Sequence, residues 1–174
     1  MKKQTDIVLA TANARYSHCA FGLKRLWRAL GPLRDRACVA EFTIQQQAQE
    51  ITSTILEYRP RIIGLGVYVW NVDLLSQAAS LLRATAPEIT LALGGPELAD
   101  CDETMPLVAT ADYIIVGEGE IAFAKLAQQA LSGHAPNNKI IEAEPPDLDA
   151  LPDPYAAYSD TDIRQRMTYV ESSR

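Results

Sequence analysis

The sequence predicts an α/β fold, a doubly wound parallel sheet of five strands. Apolar runs of strand length alternate with stretches in which apolar residues recur at helical spacing, the pattern of successive βα units. Two of these runs end in glycine-containing turns, residues 93–97 and 116–120, before a helix begins. We therefore expect both turns at the carboxyl edge of the sheet, where open α/β folds bind ligands.

The first two βα units precede residue 61. Residues 7–10 are a short apolar run that predicts a strand, and apolar residues at helical spacing over residues 20–30 predict the next helix. Residues 38–44 alternate in part and predict the second strand. Another helical stripe covers residues 48–58, and Arg59-Pro60 ends it because proline does not continue a helix.

The third and fourth units form the predicted middle of the sheet. Residues 62–69 are apolar without alternation, which indicates a central strand buried on both faces. Asn71 is placed to cap the next helix, and Ala86-Pro87 ends that helix before a strand at residues 89–93. A weaker helical stretch, residues 98–109, completes the fourth unit.

After the fifth unit the composition changes. Residues 113–116 predict the fifth strand and residues 121–131 its helix. Prolines then occur at a density that resists helices and central strands, although residues 139–141 are compatible with a short extra strand. We assign residues 1–134 to one domain and residues 135–174 to an extended, proline-rich connector.

Composition and charge exclude several classes of function. The 16 Lys and Arg residues against 22 Asp and Glu give a net charge of −6, which disfavours binding to a phosphate backbone, so we expect no nucleic-acid partner. Three cysteines far apart form neither a disulfide framework nor a metal-binding pair and favour a cytoplasmic setting. No signal peptide and no run of membrane-spanning length is present, so we expect no membrane partner.

The commonest ligands of such sheets do not fit the motifs. Residues 117–122 match the G-x-G-x-x-A dinucleotide fingerprint, but that fingerprint belongs to the first βα turn, and residues 10–15 hold no glycine. Glu118 and Glu120 would also face a pyrophosphate with negative charge. No glycine is followed by Lys-Ser or Lys-Thr, so the chain has no P-loop.

Four motifs in one order resemble the N-terminal cobalamin-binding domain of cobalamin-dependent radical S-adenosylmethionine enzymes: residues 63–71, 93–97, 116–120 and 151–155. The resemblance covers essentially the whole chain and implies a Rossmann-like, flavodoxin-like cobalamin-binding fold. It also implies a longer protein, because in that family an ending like residues 171–174 runs into the cysteine motif of the radical domain. That missing domain is expected to hold a [4Fe-4S] cluster and S-adenosylmethionine and to transfer methyl or another group. The fragment alone is expected to catalyse nothing.

The resemblance implies a corrinoid lying on the carboxyl edge, with its nucleotide tail threaded between sheet and helices past Gly66, Gly94 and Gly95. Such a path requires that side chains be absent, so we expect Gly95→Val to abolish binding while leaving the fold largely intact. Glu118 is expected to accept hydrogen bonds from amide or ribose groups. For Glu118 and Glu120 the alternative is charge placement at a helix N-terminus.

The lower face of the corrinoid is expected to lack a histidine ligand. Other cobalamin proteins carry D-x-H-x-x-G after the first strand, and residues 13–22 do not match it. We therefore expect base-off cobalamin, with its lower face covered by the loops at residues 13–18 and 68–71. The predicted cofactor-binding residues are Asn13, Arg15, Tyr16, Ser17, His18, Gly66, Tyr68, Val69, Trp70, Asn71, Gly94, Gly95, Pro96, Glu97, Gly117, Glu118 and Gly119. The alternative is a ligand-free flavodoxin-like scaffold that binds another protein.

Overall fold

The computed structural model describes residues 5–100 and 104–171 and contains a parallel sheet of six strands. The strands are β1 (Ile7–Asn13), β2 (Ala37–Thr43), β3 (Ile62–Gly66), β4 (Thr90–Gly94), β5 (Tyr113–Val116) and β6 (Ile140–Glu142). Their order across the sheet is β2-β1-β3-β4-β5-β6. The doubly wound α/β prediction is confirmed. The predicted number of five strands is wrong by one, because the short run near residue 140 pairs in parallel with β5.

Helices cover both faces of this sheet. They are α1 (Phe21–Ala29), α2 (Ala48–Leu56), α3 (Val72–Thr85), α4 (Pro106–Thr110), α5 (Gly119–Leu131) and α6 (Asp160–Gln165). Helices α1 and α5 pack together on one face, and α2, α3 and α4 pack on the other. Among the described residues, no helix combines the length and the apolar character needed to cross a membrane.

Strand alternation divides the core into two clusters. In β1, Ile7 and Leu9 face α1 and α5, whereas Val8 and Ala10 face α2 and α3. All four are fully buried, as expected of a strand between two helical layers. The third strand was predicted to continue to Val69, but it ends at Gly66.

The fourth βα unit is less regular than the sequence indicated. In place of one helix over residues 98–109, the structure has a 3-10 turn, Pro96–Leu98, and the short helix α4. Part of the predicted helix, residues 101–103, lies outside the described residues. Proline at the first position of both pieces fits their separate starts, because it lacks the backbone N–H that a continuous helix would use.

Residues after 134 fold back onto the domain. Strand β6 extends the sheet, so the sheet continues beyond residue 135, where the connector was predicted to begin. Two 3-10 turns follow, Leu148–Ala150 and Tyr155–Ala157, before α6. Helix α6 was not predicted; it begins at a capping box in which Ser159 and Asp162 bond each other's backbone N–H.

Candidate functional site

A cavity of about 440 Å³ opens at the carboxyl edge of the sheet, between β3, β4 and β5 on one side and α1 and α5 on the other. Its floor consists of four residues, Gly64, Gly66, Ala92 and Gly94. Gly64 lies opposite Ala92 and Gly66 opposite Gly94 in adjacent strands. Because side chains alternate along a strand, these four residues share the face toward α1 and α5, and none of them contributes more than a methyl group to it.

At Gly94, the fold would leave room for a side chain. A methyl group built on Gly94 has the Ile115 carbonyl oxygen, at 3.8 Å, as its nearest contact. A methyl group on Gly64 would press on Leu9 and Phe123 at 2.9 Å, and one on Gly66 would lie 3.3 Å from Leu23. Gly64 and Gly66 are thus partly packed against side chains, whereas Gly94 faces open space.

Gly95 has a different role from its neighbour. Its φ of +126° is a conformation that residues with a side chain rarely adopt, and a Cβ there would overlap the Val67 carbonyl oxygen. The backbone itself therefore requires glycine at this position. The expectation that Gly95→Val leaves the fold largely intact is corrected, because valine would displace the end of the β3 chain.

Charged side chains surround the opening of the cavity, here called the mouth and defined by Arg25, Glu118, Glu120 and Glu171. The Arg25 guanidinium lies 3.0 Å from the Glu171 carboxylate and 3.8 Å from that of Glu118, and it also pairs with Glu120. Glu120 is buried, and Glu118 occupies the N-cap position of α5 without making a side-chain capping bond. The carboxylates on α5 therefore join α1 across the mouth rather than only completing a helix terminus.

Asn71 holds the turn that follows β3. Its Oδ1 accepts a hydrogen bond from the Tyr68 backbone N–H at 2.9 Å, and its Nδ2 donates to the Ala12 carbonyl at 3.0 Å. It also lies within 3.1 Å of Thr11 Oγ1, which donates to the Gly66 carbonyl. Asn71 precedes α3, as predicted, but its side chain makes no cap bond to that helix. It ties β1 to β3 instead.

Two aromatic rings stack on this turn. The rings of Tyr68 and Trp70 are 4.7 Å apart and nearly parallel, and Trp70 donates a hydrogen bond to the Ala12 carbonyl at 3.2 Å. Tyr68 lines the cavity, and its burial raises the pKa of the phenol despite the opposing effect of Arg25. Trp70 and Val69 are exposed at the edge of the sheet. The turn thus offers a flat aromatic surface beside the mouth.

The loop between β1 and α1 is held by Asn13 at the end of β1 and by residues near the C-terminus. Asn13 Nδ2 donates to the His18 carbonyl at 2.9 Å and to Glu41 at 2.8 Å. The His18 ring nitrogen Nδ1 contacts the Tyr169 hydroxyl, and the Arg166 guanidinium lies over the exposed Tyr16 ring. The His18 ring therefore already has a partner within the chain.

A buried group of four charges, the ionic cluster, docks α6 against α1 and β2. It consists of Lys24, Glu41, Asp162 and Arg166. Lys24 Nζ lies 2.9 Å from Asp162, and Arg166 lies 2.7 Å from Glu41 and 2.9 Å from Asp162. Two positive and two negative groups balance, as buried charges require.

The ionic cluster keeps its carboxylates charged. Burial would raise the pKa of Asp162, but hydrogen bonds from Lys24 and Ser159 outweigh it and hold that pKa well below its ordinary value. Burial would also raise the pKa of Glu41, but the hydrogen bond from Arg166 outweighs it, so this pKa is lowered as well. The Cys19 thiol donates to Asp162 at 3.5 Å, and burial raises the pKa of this thiol to about 11. Cys19 is therefore a thiol at neutral pH.

The structure brings some of the predicted site residues together and leaves others apart. Those that line the cavity are Gly66, Tyr68, Gly94, Gly95, Pro96, Gly117, Glu118 and Gly119. Those that do not line it are Asn13, Arg15, Tyr16, Ser17, His18, Val69, Trp70, Asn71 and Glu97. Sequence reasoning missed residues that α1, the inner sheet and α5 contribute, notably Leu23, Arg25, Gly64, Ala92 and Phe123. The small residues two apart in each strand were a usable signal for the floor.

Comparison with known proteins gives a family match that covers the sheet from β1 to β5 and helix α5 up to residue 127. Residues 7–127 match the sequence model of the family described as the B12 binding domain. The cobalamin-dependent radical SAM methyltransferase TokK of Streptomyces tokunonensis is 34% identical over 90 residues, which are 49% of this chain and 12% of that protein. The 2-(S-pantetheinyl)-carbapenam-3-carboxylate methyltransferase of Streptantibioticus cattleyicolor is 29% identical over 92 residues, 52% of this chain and 13% of that protein. The matched part is thus a small share of each relative.

Solved structures share the fold at low sequence identity. A cobalamin-binding protein from Desulfitobacterium hafniense superposes with a TM-score of 0.50 and 19% identity, over 74% of this chain and 59% of that chain. The methanol:cobalamin methyltransferase complex MtaBC of Methanosarcina barkeri gives a TM-score of 0.53 and 16% identity, over 76% of this chain and 48% of that chain. At these identities the likeness concerns the fold.

Proposed function

The chain belongs to the B12-binding domain family, and we propose that it binds cobalamin base-off, with the nucleotide tail in the cavity and no histidine on cobalt. The observation that carries this proposal is the floor of the cavity. Four small residues paired across β3 and β4 leave a slot between sheet and helices, and the slot opens at the edge where α/β folds bind ligands.

The residues present fit a corrinoid with a long tail. Gly94 has no packing reason to lack a side chain, so the space beside it is available to a ligand group. The flat Tyr68 and Trp70 pair beside the mouth matches a flat macrocycle lying on the edge. The loop after β1 does not carry the D-x-H-x-x-G motif, which supports a lower face without an imidazole ligand.

We further propose that the whole protein is a radical S-adenosylmethionine enzyme, in which the sheet domain, β6 included, binds cobalamin and the residues after β6 lead to a catalytic domain with a [4Fe-4S] cluster. Support comes from the similarity to the cobalamin-dependent radical SAM methyltransferase of Streptomyces tokunonensis. Glu171 pairs with Arg25 at the mouth, so a domain joined after this residue would begin beside the bound corrinoid. Cobalamin held there would carry or accept a group, usually methyl, for that domain.

Binding of hydroxocobalamin to the purified chain tests the proposal. We expect the corrinoid to elute with the protein in gel filtration and its absorbance spectrum to change to that of the base-off form. A corrinoid that separates completely from the protein would support the scaffold alternative. A bound corrinoid that keeps the base-on spectrum would contradict the placement of the tail.

A further inference from the structure

The inner part of the cavity is apolar. Beyond the floor, its walls are the side chains of Leu23, Ile115 and Phe123, all buried. The floor strands β3 and β4 each pair with a strand on both sides, so their backbone N–H and C=O groups are taken up by the sheet. A ligand group that enters this inner part meets hydrocarbon.

Polar side chains among the described lining residues are confined to the carboxyl edge. They are the charged groups of the mouth and the Tyr68 hydroxyl, which lies near the start of α1. Arg25 is committed to three carboxylates. Ile115 lies opposite Gly94, Leu23 lies beside Gly66 and Phe123 beside Gly64, so the apolar wall follows the floor inward from the carboxyl edge.

This distribution of polarity has a consequence for the base at the end of the tail. Corrinoids differ in that base, which is a dimethylbenzimidazole in cobalamin and a purine such as adenine in related compounds. The exocyclic amine and extra ring nitrogens of adenine would be desolvated without partners in the inner cavity, whereas the methyl groups of dimethylbenzimidazole would gain apolar contacts. The walls therefore favour the benzimidazole.

Resting on the proposed cobalamin function, we propose that the inner cavity selects corrinoids with a benzimidazole lower base over those with a purine base. Ile115, Leu23 and Phe123 are the residues that determine this selectivity. The unmatched amine of adenine is expected to weaken binding by roughly tenfold or more. Adenine is also the weaker ligand for cobalt and leaves it more easily. This difference favours binding of the adenine analogue, so a preference for benzimidazole must come from contacts in the cavity.

Dissociation constants of the wild-type chain for hydroxocobalamin, its adenine analogue and cobinamide, which lacks the nucleotide, test the proposal. We expect cobalamin to bind most tightly and the adenine analogue at least tenfold more weakly. Equal affinity for the two bases overturns the selectivity. Cobinamide has no base to release from cobalt and gives the affinity of the corrin ring alone, against which both complete corrinoids are compared. If none of the three binds, the proposed function itself fails.

A pair of variants isolates the polarity of the wall. Ile115→Thr places a hydroxyl on the apolar wall of the cavity, opposite Gly94, and Ile115→Val has nearly the same shape without the hydroxyl. The preference for benzimidazole is expected to shrink severalfold in Ile115→Thr relative to Ile115→Val. Both variants pay the same cost of releasing the base from cobalt, so this cost cancels in the comparison. If the two variants prefer benzimidazole equally, Ile115 does not determine the selectivity. The dissociation constants of the wild-type chain test the selectivity itself, whatever the variants show.

Discussion

Gly94 and Gly95 are neighbours in the sequence with unrelated physical roles. Gly95 has a positive φ and its Cβ position overlaps the Val67 carbonyl, so the backbone path requires it. Gly94 has ordinary strand geometry and free space above it. The sequence motif Gly-Gly combines a residue that the backbone path needs with a residue that faces the open space of the cavity.

Gly94→Val separates these roles experimentally. Valine suits an extended strand, so we expect the thermal melting temperature to stay the same or rise, while the side chain fills the cavity. Cobalamin affinity is expected to fall by about 5- to 150-fold, the range that corresponds to the cost of overpacking a filled site. Thr90→Val, on the same face at the far end of β4, is the matched control. Unchanged affinity in Gly94→Val would show that the tail takes another path.

The lower face of the cofactor is a second question at the scale of single residues. Because the loop after β1 lacks the D-x-H-x-x-G motif, whose aspartate orients the histidine ligand, we expect no nitrogen ligand on cobalt. Electron paramagnetic resonance of the protein loaded with cob(II)alamin is expected to show cobalt lines without triplet splitting, identical in wild type and His18→Ala. Triplets that disappear in His18→Ala would establish His18 as the ligand and overturn the assignment.

At the scale of elements, α6 is a short helix whose position depends on long-range contacts. Its six residues are too few to be stable alone, and the ionic cluster and the Ser159 capping box hold it against α1. Cys19 lies beneath it, buried and hydrogen-bonded to Asp162. The reactivity of this thiol therefore reports whether α6 is docked.

Ser159→Ala is expected to loosen α6. Loss of the cap costs about 1 kcal/mol, which raises the population of the undocked helix about fivefold. In a background with Cys38 and Cys101 replaced by serine, the rate at which iodoacetamide alkylates Cys19 at pH 8 should rise by that factor. Ser80→Ala, an exposed serine on α3, should leave the rate unchanged. Equal rates in both variants would show that α6 does not cover the thiol.

The ionic cluster also predicts a dependence of stability on pH. The pKa values of Glu41 and Asp162 lie below their ordinary values of 4.5 and 3.8, so below about pH 5 the unfolded chain binds more protons than the folded one. The stabilisation by the two ionised carboxylates is complete when the pH is above their ordinary pKa values. It is lost as the pH falls through the lowered pKa values of the folded chain. We expect the free energy of unfolding to fall by up to about 1.4 kcal/mol per pH unit for each proton taken up.

Urea unfolding between pH 2 and 6 measures this slope. Glu41→Gln removes one of the two groups and should reduce the slope, whereas Glu50→Gln, an exposed carboxylate on α2, should not. A slope that Glu41→Gln leaves intact would assign the acid sensitivity to other carboxylates.

At the scale of the whole molecule, the two faces of the sheet are packed differently. Toward α2 and α3, β3 and β4 present Ile63, Leu65, Leu91 and Leu93, which fill the core. Toward α1 and α5 the same strands present the small floor residues, and the cavity results. Both faces carry a buried core, but only the face toward α1 and α5 leaves a cavity at the carboxyl edge.

The sequence alone determined the α/β class, the parallel order of alternating strands and helices and the glycine turns at the carboxyl edge, because these follow from periodicity and local turn chemistry. The resemblance carried by four motifs likewise identified the B12-binding family that the match over residues 7–127 shows. The Gly64 and Gly66 alternation was also present in the sequence, hidden within an otherwise continuous apolar run.

Only the tertiary structure decided which small residues face one another, that Arg25 closes the mouth and that α6 docks on α1. Gly64 meets Ala92 through the register of two strands, and Lys24 meets Asp162 across more than a hundred residues of chain. Local periodicity tells which face of its own element a residue occupies, but not which distant residue lies opposite. Packing of the complete chain sets those partners, because only then are the register of the strands and the balance of buried charges determined.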